Sequence, residues 1–361
     1  AARGLPAMAT AATVGTVNTK HADIIHDAQM DYFGKRLATC SSDRTIRIFN
    51  VEEDGGYSLV QELKGHDGPV WMVSWAHPSF GSIVASCSHD HKVIVWKETA
   101  AGWEKFKEYG SAPEEHASSI NSVAWAPYTV GYPMLACASA DGDISILTYK
   151  DSKWSPDKIV AAHKGGVNAV SWAPLVSFGP LGQAADDDAP RAAPRLISCG
   201  CDDELKIWNF REDEINGGWR ASQMPAPVLK DMRYSSWYRD VAWAPSIGLS
   251  SSTIACCTQN GEVLVWTQAA DSDAWSCVEL PRPQADAGAA AGADPVPADP
   301  VWRVSWSITG NILAVAAGES SVTLYKEELD TQRAVVMGRD ADAAAPAVCS
   351  WKVVGELDGS A

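Results

Sequence analysis

The sequence predicts an all-β chain arranged as one ring of six four-stranded sheets, and three observations carry that prediction. Sixteen tryptophans stand among 361 residues, against six phenylalanines and nine tyrosines. A strand-like segment with alternating apolar residues occurs five times, with a weaker sixth copy. Each copy is followed by a small-residue run, a polar turn and, six positions after the turn residue, an apolar or aromatic side chain. A tryptophan buries about 150–250 Å². Repeated at a fixed place, it marks one repeating unit rather than the two or three domains that length alone suggests.

The first element of the unit is V-W-M-V-S-W-A-H-P (70–78), I-N-S-V-A-W-A-P (120–127), V-N-A-V-S-W-A-P (167–174), Y-R-D-V-A-W-A-P (238–245) and V-W-R-V-S-W-S-I (301–308). Its two-residue period is that of a half-buried strand, and the proline closing four copies stops the ladder. The sixth copy, 24–32, places Met30 where the others have tryptophan. The second element is a small-residue strand such as L-A-T-C-S-S-D, ending at Asp43, Asp90, Asp141, Asp202, Asn260 and Glu319. The third is a β-rich run such as K-V-I-V-W, ending at Phe49, Trp96, Leu147, Trp208, Trp266 and Tyr325. The fourth opens near Tyr57, Trp103, Trp154, Trp219, Trp275 and Trp351.

A four-stranded antiparallel sheet cannot bury both faces alone, and radial stacking of such sheets solves that problem. The prediction is a six-bladed β-propeller over 16–357, with blades at about 21–64, 66–110, 116–162, 163–230, 234–281 and 300–357. Markers on successive third strands lie 47, 51, 61, 58 and 59 residues apart. That exceeds the roughly 40–45 residues of a WD repeat, and the excess falls in polar or Ala/Pro-rich insertions at 175–194, 281–300 and 331–347. Residues 1–15 read as a disordered extension, with Met8 a candidate start.

The formal net charge is −16, and no basic run of five or more residues is present. Phosphate neutralisation is therefore poorly served, which argues against direct nucleic-acid binding and against an anionic membrane surface. Nine cysteines follow neither a disulfide framework nor C-x-x-C metal spacing. No run of 18 apolar residues and no secretory signal is visible. These features predict a reducing, cytosolic or nuclear compartment.

Histidine, serine and aspartate recur together, as in a nucleophilic triad. In the second repeat they are His66, Ser88 and Asp90, with Trp96 beyond them. A triad is needed once, whereas these residues follow the repeat: His21 with Asp43, His116 with Asp141, His163 with Asp202 and Trp208, then Trp266 alone of the set in the fifth. The pattern predicts a structural hydrogen-bonded row in each blade rather than catalysis. His89 and His91 lack a third ligand nearby, and Asp186–Asp188 reads as a solvated loop. Cys40, Cys87, Cys199 and Cys257 read as small buried side chains. No catalytic residue, cofactor or metal site is predicted.

The strings I-I-H-D-A-Q-M-D-Y-F-G-K-R-L-A-T-C-S-S-D-R-T-I-R-I-F (24–49), G-H-D-G-P-V-W-M-V-S-W-A-H-P (65–78), R-D-V-A-W-A-P-S-I-G-L (239–249) and V-S-W-S-I-T-G-N-I-L-A-V (304–315) resemble the Sec-thirteen family of WD-repeat subunits. The resemblance runs from about Thr16 to Lys326 and more weakly to Leu357. The Seh-type nucleoporin paralogue, the alternative assignment, shares the I-H-D and A-T-C-S-S-D stretches, but Q-M-D-Y-F and W-S-I-T-G-N-I-L-A-V favour the Sec-thirteen family. The resemblance implies a non-enzymatic scaffold that pairs with a large α-solenoid subunit in the outer cage of coat protein complex II, on vesicles leaving the endoplasmic reticulum for the Golgi. It implies a second pairing with an α-solenoid nucleoporin in the outer ring of the nuclear pore, and membership of a nutrient-signalling complex at lysosomes or vacuoles. In the first two assemblies the partner donates a blade to an open ring, and membrane contact is indirect.

The residues alone make an open ring plausible. The sixth repeat supplies its own fourth strand, Ser350 to Leu357, so no shared strand fastens the chain ends. The expected partner seam lies between 16–60 and 300–357, with Ile24, Ile46, Ile48, Trp302, Val322 and Leu324 on its walls. Two other function classes compete: a peptide reader using the mouth of the central funnel, and a propeller enzyme with a unique constellation in the channel.

Overall fold

The computed structural model describes residues 17–53, 55–110, 116–175, 193–211, 218–225, 237–245, 251–269, 272, 274–281, 299–318, 321–329 and 349–358. Within them the chain forms six four-stranded antiparallel sheets and two 3₁₀ turns, Pro78–Phe80 and Tyr128–Val130. The extension 1–15, Asp186–Asp188, Glu319 and most of the three insertions lie outside the described residues.

Each sheet takes its four strands consecutively from the chain. The innermost strands are Ile25–Met30, Val70–Trp75, Ile120–Trp125, Val167–Trp172, Tyr238–Trp243 and Val301–Trp306. All six carry a bulge at their second residue, which slips past the pairing with the next strand. Second strands such as Ile83–Ser88 and Met134–Ser139 are buried at every residue. They are sandwiched between neighbouring sheets, and alanine, serine and cysteine there permit close approach. In the sixth sheet Ser321–Leu329 pairs with Cys349–Asp358, so the last blade is built without a strand from the other chain end.

The core is divided among the blade junctions. One apolar cluster joins blades 1 and 2 through Ile46, Ile48, Val73 and Trp96. Others join 2 to 3, 3 to 4, 4 to 5 and 5 to 6. Trp96, Trp208, Trp266 and Tyr325 each pack against the preceding blade. Among the described residues no buried cluster joins blade 6 to blade 1.

Ile46 and Ile48 were expected at the seam, and the fold corrects this. Both are fully buried at the junction with blade 2. Strand alternation gives a blade two apolar faces, one for each neighbour, and these isoleucines occupy the face turned to the next blade. By register, Leu37 and Phe49 hold on blade 1 the places that Val84 and Trp96 hold on blade 2. Leu37 and Phe49 are therefore the blade 1 residues turned toward blade 6.

Candidate functional site

Two constellations stand out: the histidine rows inside the blades and the junction between blades 6 and 1.

In blade 2, His66 Nδ1 lies 2.9 Å from Asp90 Oδ2, and His66 Nε2 lies 2.8 Å from Ser86 Oγ. Trp96 Nε1 donates to the same Ser86 Oγ at 2.9 Å. The serine in the row is thus Ser86 and not Ser88. Ser88 Oγ instead donates to the Gly68 carbonyl and accepts the Asp90 amide, tightening the turn. The row recurs as His21 with Asp43 and Thr39, and as His163 with Asp202, Ser198 and Trp208. In blade 3, His116 binds Asp141 and Ser145, a serine borrowed from the third strand because Cys137 fills the usual place. In blade 5, Cys256 fills that place and the buried Trp266 Nε1 has no hydrogen-bond partner.

Burial alone would raise the Asp90 carboxyl, but hydrogen bonds from His66 and from the Asp67 and Lys92 amides outweigh it and hold it at about 2. Hydrogen bonds overcome burial in the same way at Asp43, Asp141 and Asp202. Burial lowers His116 and His163, which keeps both rings neutral at pH 7. Each ring then donates from Nδ1 to aspartate and accepts at Nε2 from a hydroxyl. Ser86 and Ser198 are fully buried, out of reach of any substrate. His116, Asp141 and Asp143 could cluster about a metal. Their atoms are already committed, with both His116 nitrogens bonded and Asp143 paired to Lys158 at 2.9 Å. The rows fasten loops to strands.

The second constellation begins with a tryptophan ladder at the ends of the inner strands. Trp75 Nε1 donates to the Gln29 carbonyl of the preceding blade at 2.9 Å, Trp125 to Ser74 at 3.0 Å, Trp172 to Ala124 at 2.8 Å and Trp306 to Ala242 at 3.0 Å. At the 4–5 junction the Trp243 amide takes Ser171 Oγ instead, and its Nε1 is unpaired. Blade 1 ends its strand in Met30, whose side chain has no N–H to offer blade 6.

Charge occupies the inner rim of this junction. Arg303 Nη2 on blade 6 lies 4.0 Å from Asp27 Oδ2 on blade 1. A central channel of about 1030 Å³ runs past Asp27, Asp240 and Arg303. Burial pushes the Asp27 carboxyl up and Asp240 up to about 6, against the opposing charge of Arg303. Each aspartate also ties its blade to the next, Asp27 accepting the Val73 amide at 3.2 Å and Asp240 the Val304 amide at 2.9 Å.

Among the described residues, eleven of the fifteen large apolar side chains left exposed belong to blades 1 and 6. Ile24 is 67% exposed, Trp302 48% and Met30 46%. Val322 and Leu324 are half-buried, at the register that Ile46 and Ile48 hold in blade 1. Of the residues expected on the seam, Ile24 is thus exposed on blade 1 and Val322 and Leu324 are half-buried on blade 6, whereas the Trp302 ring lies under Arg239 of blade 5 at 4.2 Å and its Nε1 donates to the Gly318 carbonyl at 3.0 Å. Met30, Arg303 and Asp27 escaped sequence reasoning as seam residues, although methionine at a tryptophan position was the visible signal.

Known proteins agree with this architecture. The WD domain, G-beta repeat family matches residues 13–50, 57–97 and 154–209. A protein transport protein SEC13 of Mycosarcoma maydis is 42% identical over 347 residues, covering 87% of this chain and 91% of its own length. One from Cryptococcus neoformans is 44% identical over 330 residues, covering 86% and 93%. The chain belongs to the Sec13 family. A Drosophila melanogaster protein SEC13 homolog is 44% identical over 320 residues, covering 88% of this chain and 81% of its own. Sec13 relatives thus match most of the chain, well beyond the stretches matched by the WD-repeat family.

Proposed function

We propose that this protein is a non-enzymatic structural subunit in protein transport, and that it works by accepting a blade from a large α-solenoid partner between blades 6 and 1. The transport role comes from the Sec13 relatives, which are named as protein transport proteins. The observation that carries the blade-accepting reading is that, among the described residues, one junction of six has no buried apolar cluster and exposed side chains lie on both of its blades. Apolar surface left open beside strand edges is what an added sheet covers.

In this reading the pair forms the outer cage of coat protein complex II at the cytoplasmic face of the endoplasmic reticulum. The same surface serves an α-solenoid nucleoporin in the outer ring at the nuclear envelope, and a nutrient-signalling complex at the lysosome or vacuole draws on the same propeller. A peptide reader is less well supported. Side chains at the inner-strand bulges, where a reader would grip its ligand, already bind across blades: Asn121 to the Val167 carbonyl, Asn168 to the Tyr238 carbonyl and Trp71 to Ser119.

Affinity purification with mass identification of stoichiometric partners tests the proposal. The expected result is a large helical subunit in equal amount. Recovery of the chain alone, or with short peptides only, would overturn it.

A further inference from the structure

This inference rests on the reading that another chain fills the seam between blades 6 and 1. The repeat itself specifies what the innermost strand of that chain must carry. Four junctions share one bond, in which the tryptophan ending an inner strand donates to the preceding blade, one residue before the matching position there. The next carbonyl in that series belongs to Ser305 of blade 6. The Met30 side chain cannot serve it, because a thioether has no N–H to donate across the junction.

A second regularity lies three residues earlier on the same strand. Asp27 and Asp240 each accept the amide of the following blade, at Val73 and Val304. Blade 6 has Arg303 at this register, a donor where the other two blades offer an acceptor. The corresponding amide on blade 1 is that of Ala28, bonded at present to its own neighbour Asp27 at 3.0 Å. Both walls of the seam therefore present donors here, an arginine on one and an amide on the other, and a carboxylate between them would answer both.

We propose that the strand entering the seam carries a carboxylate and, three residues later, a tryptophan. The tryptophan donates to the Ser305 carbonyl and continues the ladder. The carboxylate sits beside Arg303, as Asp240 already does from blade 5, and replaces Asp27 as its second counter-charge. Among its inner strands the chain carries this residue pair once, in Asp240-Val241-Ala242-Trp243 of its fifth blade, where the aspartate already accepts the next blade's amide while the Trp243 ring N–H is unpaired and free to donate in a new setting.

The test uses a synthetic β-hairpin, one strand of which copies residues 238–243, added to the 361-residue protein. Two variant hairpins replace the aspartate by asparagine or the tryptophan by phenylalanine. Affinity is read by fluorescence anisotropy, and the site by hydrogen exchange over residues 25–30 and 301–306. The parent hairpin is expected to protect both strands, and each variant to bind about tenfold more weakly, the loss of one charge-assisted or buried hydrogen bond. Met30→Trp in the protein, which supplies the missing indole, is expected to weaken parent binding by about as much. Equal binding of all three hairpins at these strands would overturn the inference and leave the seam reading standing. Absence of protection with every hairpin would overturn both.

Discussion

Arg303 Nη2 reaches to 4.0 Å from Asp27 Oδ2, and among the described residues this is the one ion pair joining blade 6 to blade 1. At the other five junctions an apolar cluster binds the neighbours. A partly solvated ion pair contributes about 1 kcal/mol or less, whereas burying a single leucine or isoleucine contributes about 1.5–3 kcal/mol. Among the described residues the ring is consequently held least tightly where its two ends meet.

Asp27→Asn keeps an acceptor for the Val73 amide but removes the charge facing Arg303. Because burial outweighs the attraction of Arg303 and raises the Asp27 carboxyl, losing the pair and losing the buried charge offset each other, and global stability at pH 7 is expected to change by less than about 1 kcal/mol. Hydrogen exchange should rise in 25–30 and 301–306 while the inner strands of blades 3 and 4 stay unchanged.

Ile48→Ala and Leu324→Ala remove comparable side chains from equivalent registers of two junctions. Ile48 is fully buried, and its loss is expected to cost about 2–5 kcal/mol in a urea titration. Half-buried Leu324 faces the seam, and its loss should cost about 1 kcal/mol in the free protein. The larger penalty for Leu324→Ala should emerge in partner affinity.

Ser86→Ala leaves His66 Nε2 and Trp96 Nε1 without their shared partner in a buried site. The expected loss is about 1–3 kcal/mol, measured by chemical denaturation. Ser88→Ala touches only the turn and should cost about 1 kcal/mol. A larger loss at Ser88 than at Ser86 would reverse the assignment of the row.

Two groups of aspartates give opposite pH dependences. Asp90, at about 2 in the fold, lies below its unfolded value of 3.8, so its stabilisation is present above that value and fades as pH falls from about 4 through 2. Asp240, raised to about 6 by burial, stabilises the fold at low pH and loses that contribution as pH rises through 6. His116 and His163 titrate in the same range with the opposite sign, so the informative quantity is a difference. Between pH 7 and pH 5 the melting temperature of the wild type should gain on that of Asp240→Asn.

The six sheets were legible because their markers are periodic in the chain. A tryptophan ending the inner strand and an aspartate six residues before the third-strand aromatic needed no tertiary information. Alternation also showed that Ile46 and Ile48 share a buried face, but not which neighbour that face meets, and the seam was therefore drawn through the wrong pair. The histidine row was read one alternate residue too late, at Ser88, although Thr39, Ser86 and Ser198 recur four residues before the turn aspartate as regularly as any marker. Asp27, Asp240 and Arg303 could not be associated from sequence, because closing the ring is what brings blades 1, 5 and 6 to one channel.

The most direct test of the central claim is site-specific photo-crosslinking in the purified complex. A photoreactive residue is placed at Ile24, at Trp302 or, as a control on blade 3, at Tyr128, all three exposed in the free protein. Crosslinks from both Ile24 and Trp302 to one short segment of the same partner, with none from Tyr128, are predicted. Crosslinks from Tyr128 with none from either seam position would contradict it.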